Sequence, residues 1–115
     1  MRSSLKKLRG LSVLAACCLV SIDGADAMSK TDIDRMTTCA TMLGRGLACG
    51  ANVDEPTQRV ARWMDRVAPK GSPDQGTYLL IFISGMEYHF ERQKDGLNPD
   101  TCETINALFD TMPWP

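Results

Sequence analysis

Apolar residues fall along this chain in two regimes: one unbroken run near the start, then four stretches in which they recur every three or four positions. The run covers residues 11–22 and holds no charge. Arg2, Lys6, Lys7 and Arg9 precede it without an acid, and Ala25-Asp26-Ala27 follows it. A basic start, about a dozen apolar residues and a small-x-small end form the layout of a secretory signal peptide cut after Ala27. The run is too short to cross a bilayer, which takes roughly 20 apolar residues. The sequence thus predicts a signal peptide over residues 1–27, a single domain over residues 28–115, and a periplasmic or secreted location.

The periodic stretches predict four helices. Ser29 and Asp32 form a helix start, a capping hydroxyl with an acid three residues on. Ile33, Met36, Ala40, Leu43 and Leu47 then mark one face, Gly44 and Gly46 weaken the helix, and Gly50 stops it. A second helix begins with Asp54 as cap and Pro56 in the first turn. Its apolar face is Val60, Trp63, Met64 and Val67, and Pro69 ends it.

Tyr78-Leu79-Leu80-Ile81-Phe82-Ile83 reads equally as a buried strand or a helix when taken alone. Leu79, Phe82, Ile83, Met86 and Phe90 keep helical spacing, Gly96 closes the pattern, and no second strand exists to pair with, so a helix to about Lys94 is expected. Being apolar nearly all round at its start, it is expected to be the central, most buried helix. Asn98-Pro99-Asp100-Thr101 opens a fourth, with Cys102, Ile105, Leu108, Phe109 and Met112 inward. Four helices on short loops predict an all-α fold, a compact four-helix antiparallel bundle.

Composition narrows this further. Four of the 13 basic and two of the 14 acidic residues lie within residues 1–27, which leaves the remainder at a net charge of −3. With no basic stripe, no nucleic-acid partner is expected. A domain this small has a thin core and gains from a covalent staple. Cys39, Cys49 and Cys102 remain after cleavage, and an exported protein is expected to oxidise two of them. Ten residues of continuous helix put Cys39 about 15 Å from Cys49, too far for a disulfide, whose Cα atoms lie within about 7 Å, unless Gly44 and Gly46 break the helix. In an up-down-up-down bundle the end of the first helix meets the start of the fourth. Cys49–Cys102 is therefore the expected staple, with Cys39–Cys102 as the alternative.

Candidate chemistry is sparse. His89 is the single histidine and lacks a helical-spaced partner for a metal clamp, while Glu87 and Glu91, four apart, would hold a cation only with outside help. No serine or cysteine has a visible base and orienting acid, and no Cys-x-x-Cys is present, so neither an enzyme nor a cofactor is expected. The six methionines that remain after cleavage (Met28, Met36, Met42, Met64, Met86 and Met112) invite a copper reading. Most fall at core positions, where methionine fills gaps, so no metal site is expected. Trp114, between two prolines near the end of the chain, would be a partner-binding anchor if exposed and a lid on the bundle if docked.

Several resemblances bear on function. Leu14-Ala15-Ala16-Cys17 resembles the lipobox of bacterial lipoproteins, which implies as an alternative that Cys17 is lipidated, the protein is membrane-tethered and Cys18 survives. The early Cys39 and late Cys102 in a small exported helical domain resemble the HdeA/HdeB periplasmic acid-stress chaperones. Phe82-Ile83-Ser84-Gly85-Met86 and Asn98-Pro99-Asp100-Thr101-Cys102 are similar to the Tyr-Ile-x-Gly and Cys-x-Pro elements of the Rap/Tai immunity proteins. Here phenylalanine replaces tyrosine and proline precedes the cysteine. That resemblance implies a periplasmic inhibitor of a type VI secretion amidase. The expected function is protein binding without catalysis, of the inhibitor or immunity type, with a homodimer possible; an acid-stress chaperone and a metal-binding protein are the alternatives.

Overall fold

The computed structural model describes residues 28–115, so cleavage after Ala27 and lipid attachment at Cys17 fall outside the described residues. The described residues form four helices: α1 (Lys30–Ala48), α2 (Asp54–Val67), α3 (Gln75–Lys94) and α4 (Cys102–Asp110). Each start and stop has a local cause. Ser29 caps α1, its Oγ accepting the Asp32 N–H at 3.1 Å.

Asp54 does not cap α2 as expected. Val53 holds the cap position, because the Asn52 side chain already accepts the Asp54 N–H at 3.1 Å, which leaves Asp54 and Glu55 in the first turn facing the positive helix end. Residues 78–83 are helical, as expected, and not a strand, and α3 runs unbroken until Gly96 turns the chain at φ 73°. Asn98-Pro99-Asp100 forms a turn tied to Gln93 by the Asn98 side chain. Thr101 is the true cap of α4, accepting the Thr104 N–H at 3.4 Å, so the helix starts later than Asn98. It also ends at Asp110, which leaves Met112 beyond it, and of its expected inner face only Ile105 and Phe109 are buried.

The helices run up-down-up-down. Arg35 near the start of α1 lies over the Trp63 ring late in α2, 5.9 Å from its centroid, so these two are antiparallel. Cys49 at the end of α1 is joined to Cys102 at the start of α4, with Cα atoms 5.3 Å apart, and Arg35 donates to the Pro113 carbonyl at 3.3 Å beyond the other end of α4. The staple is the Cys49–Cys102 pair, and Cys39 stays a free, buried thiol. The antiparallel bundle, with one disulfide among the described residues, is the architecture the sequence predicts.

Which helix sits at the centre differs from the expectation. The backbones of α2, α3 and α4 each come close to α1 and not to one another, and the most extensive of these approaches is that of α3. Small residues make this possible. A Cβ at Gly44 would stand 3.0 Å from the Phe90 backbone nitrogen and closer still to the Met86 carbonyl, and one at Gly46 would collide with the Phe109 ring. The glycines therefore do not break α1; they let two neighbours close onto it. Its buried positions, Met36, Cys39, Ala40, Met42, Leu43, Gly44 and Gly46, accordingly run around most of the helix rather than along one stripe. Val60, Trp63, Met64, Ala68, Phe82 and Phe109 complete the core from the other elements.

Candidate functional site

α2 and α3 both lean on α1 and meet each other where Gln75 donates to Asp65 at 3.0 Å; towards the other end of α2, where Thr57 stands, a cleft opens between them. It is an apolar groove of about 610 Å³. Phe82, Met86 and Phe90 of α3 form its floor, at successive four-residue steps. Leu79, Ile83, Glu87 and Glu91, again four apart, form one wall, and Leu47 of α1 with Thr57 of α2 forms the other. Residues four apart make the natural ridge of a helix surface, so the groove is bounded by one ridge of α3 and floored by the next.

This places exposed apolar area where burial was expected. Of α3 only Phe82 is buried; Leu80 is 65% exposed, Ile83 51% and Tyr88 58%. Ile81 is also exposed, on the opposite flank of the helix from Leu79 and Ile83. The ridge changes character along its length, from the apolar Leu79 and Ile83 to the carboxylates of Glu87 and Glu91. Glu91 pairs with Lys94 at 3.3 Å, both largely in solvent; Glu87 has no cation within salt-bridge distance among the described residues.

His89 lies on the opposite flank of α3 from the groove, beside Ala40 and Thr41, with the Tyr88 ring edge-on at 5.0 Å. Partial burial pushes its pKa below the ordinary histidine value, and the positive charges of Arg45 and Arg92 push it the same way. Cys39 is enclosed in the core, and burial raises its thiol pKa against a smaller opposing effect of Arg35. Neither is arranged as a nucleophile or base with a partner.

Met28, Met36, Met42 and Met64 are buried, and Met86 and Met112 pack against the same core. Among the described residues no three His, Cys, Asp or Glu side chains come close enough to hold a metal ion. No described helix is long and apolar enough to cross a membrane.

Trp114 is docked, the second of the two readings its position allowed. Its ring meets Phe109 edge-on at 5.2 Å, and Arg59 of α2 holds the tail by donating to the Trp114 carbonyl at 3.0 Å and the Pro115 carbonyl at 3.1 Å. Partly buried, it is a lid that ties the end of α4 to α2.

The apolar lining residues Leu47, Leu79, Phe82, Ile83, Met86 and Phe90 fall at expected core positions in the sequence, which hides the groove. The available signal was the four-residue line of Leu79, Ile83, Glu87 and Glu91, since a ridge ending in two carboxylates does not suit a buried helix. Compared with family models, curated proteins and solved structures, the chain matches none.

Proposed function

We propose that this is an exported, non-catalytic protein that works in the periplasm by binding another protein, in the manner of an inhibitor or immunity factor. The observation that carries it is the apolar surface of α3, where Leu80, Ile83 and Tyr88 are each more than half exposed beside a groove floored by Phe82, Met86 and Phe90. Soluble domains rarely leave a contiguous apolar patch of several hundred Å² uncovered unless something binds there. The groove is held by a disulfide-stapled scaffold with a latched tail, so little ordering entropy opposes binding. An acid-activated chaperone would keep such a surface hidden until protonation loosened the fold; here it is already displayed.

The test is affinity capture. The full chain, exported with its own leader and purified from the periplasmic fraction, is immobilised and offered periplasmic and secreted extracts. A single protein retained at one-to-one stoichiometry is the expected result, and its loss on Ile83→Asp links it to α3. An empty column across all extracts overturns the proposal.

A further inference from the structure

We infer that the groove between α2 and α3 receives an amphipathic helix of another protein, apolar along its inner face and basic on one flank of the half that meets the end of α3. The inference rests on the binding reading above and adds the chemistry of the occupant. Its starting point is the ridge of α3, where Leu79, Ile83, Glu87 and Glu91 follow one another at four-residue steps. A side chain every four residues is the surface that a second helix meets with its own ridges and grooves. From Leu79 to Glu91 the ridge is about 18 Å long, which matches roughly three turns of a docked helix and suits the helix-in-groove mode of recognition.

The floor of Phe82, Met86 and Phe90 asks for apolar anchors at helical spacing along the whole length. The wall asks for more. Glu87 has no cation within salt-bridge distance among the described residues, and Glu91 is only partly satisfied by Lys94 at 3.3 Å. Two carboxylates on the rim of an apolar groove select a Lys or Arg from the occupant and repel an acid. The polarity also sets a direction: cations are best placed near the C-terminus of a helix, so an occupant running parallel to α3 brings its basic end to Glu87 and Glu91.

The same ridge disfavours two other occupants. A second copy paired in parallel through this face sets Glu87 against Glu87. Paired antiparallel about the middle of the ridge, it sets Ile83 against Glu87 and Leu79 against Glu91. Either arrangement buries Glu87 without a cation. An anionic lipid surface is repelled by the same two groups.

The probes are two fluorescently labelled helical peptides of about four turns. Both carry Leu at i, i+4, i+7 and i+11; one has Lys at i+8 and i+12, the other Glu at those positions. Binding to the purified exported chain is followed by fluorescence anisotropy at low ionic strength, with circular dichroism confirming that every variant is folded. The Lys peptide is expected to bind at least about tenfold more tightly than the Glu peptide. Glu87→Lys with Glu91→Lys reverses that order, and Ile83→Asp weakens both. Equal affinities, an unreversed order, or no binding of either peptide to the folded protein overturns the inference, as does a concentration-dependent dimer abolished by Ile83→Asp. The two levels fail separately. A captured partner indifferent to the Glu87, Glu91 and Ile83 substitutions removes the inference and leaves the binding function. Peptides that discriminate as expected, with no partner in any extract, remove the function and leave the groove's preference.

Discussion

Gly44 and Gly85 lie on the two helices that share the most extensive contact, and the same substitution at each should have opposite consequences. In a helix interior, glycine to alanine gains about 1 kcal/mol from reduced backbone freedom in the unfolded chain, provided the methyl has room. At Gly85 the added Cβ meets only the Ala40 Cβ, at 3.4 Å, the near edge of ordinary contact. At Gly44 it would stand 3.0 Å from the Phe90 nitrogen and 3.2 Å from the His89 Cβ, with the Met86 carbonyl nearer still. Two of these three neighbours are main-chain atoms of α3, which no rotamer change can move, so the helices must separate. Overpacking of this kind costs about 1–3 kcal/mol, and a backbone obstacle places Gly44 at the upper end. Gly44→Ala is therefore expected to lose about 2 kcal/mol net of the helix gain, while Gly85→Ala is neutral or gains up to about 1 kcal/mol. Urea unfolding followed by helical circular dichroism measures both, with the slope checked for constancy. Equal stability of Gly44→Ala and the parent chain would refute the close approach of α1 and α3, and with it the placement of α1 at the centre.

Other expectations follow from the staple, the histidine and the buried thiol. The Cys49–Cys102 link spans 53 residues, for which chain entropy gives about 4 kcal/mol; Cys49→Ser with Cys102→Ser should lose most of that in urea unfolding, and a loss under about 1 kcal/mol contradicts it. His89 should titrate by NMR below the ordinary histidine midpoint, and Arg45→Gln or Arg92→Gln should move it upward. Because its folded pKa is the lower one, any stability it confers is complete above the unfolded midpoint and lost as pH falls through the folded one; a midpoint above the ordinary value contradicts this. Cys39, fully enclosed, should resist a soluble thiol reagent in the native protein and react on unfolding. Rapid native labelling would show that the core around it opens.

Four helices were legible because their signals are local. Ser29, Pro56, Gly96 and the three-and-four spacing of apolar residues act within one turn or two, and the structure departs from them only in details such as Thr101 replacing Asn98 as a cap. The Cys49–Cys102 pairing was legible because the bundle's topology puts those two positions at one end. The order of burial was not, since it depends on how closely helices approach. Residues 78–83 read as core by hydrophobicity alone, yet α1 takes the centre because Ala40, Gly44 and Gly46 present so little bulk that α3 and Phe109 can reach its backbone. Once α1 is the hub, α3 buries Phe82 and turns Leu80 and Ile83 outward. The groove follows from that displacement and from where α2 comes to rest, neither of which is encoded in any single stretch. Trp114 shows the same limit: its fate depended on Arg59, 55 residues away, holding the tail.

The most direct test of the central claim, that the exposed face of α3 is a working surface, is hydrogen exchange on the complex with the captured partner. Slowed exchange is expected to concentrate in residues 79–91, with α4 and the tail from Met112 to Pro115 unchanged. Protection confined to α4 or the tail, with 79–91 exchanging as in the free protein, would contradict it.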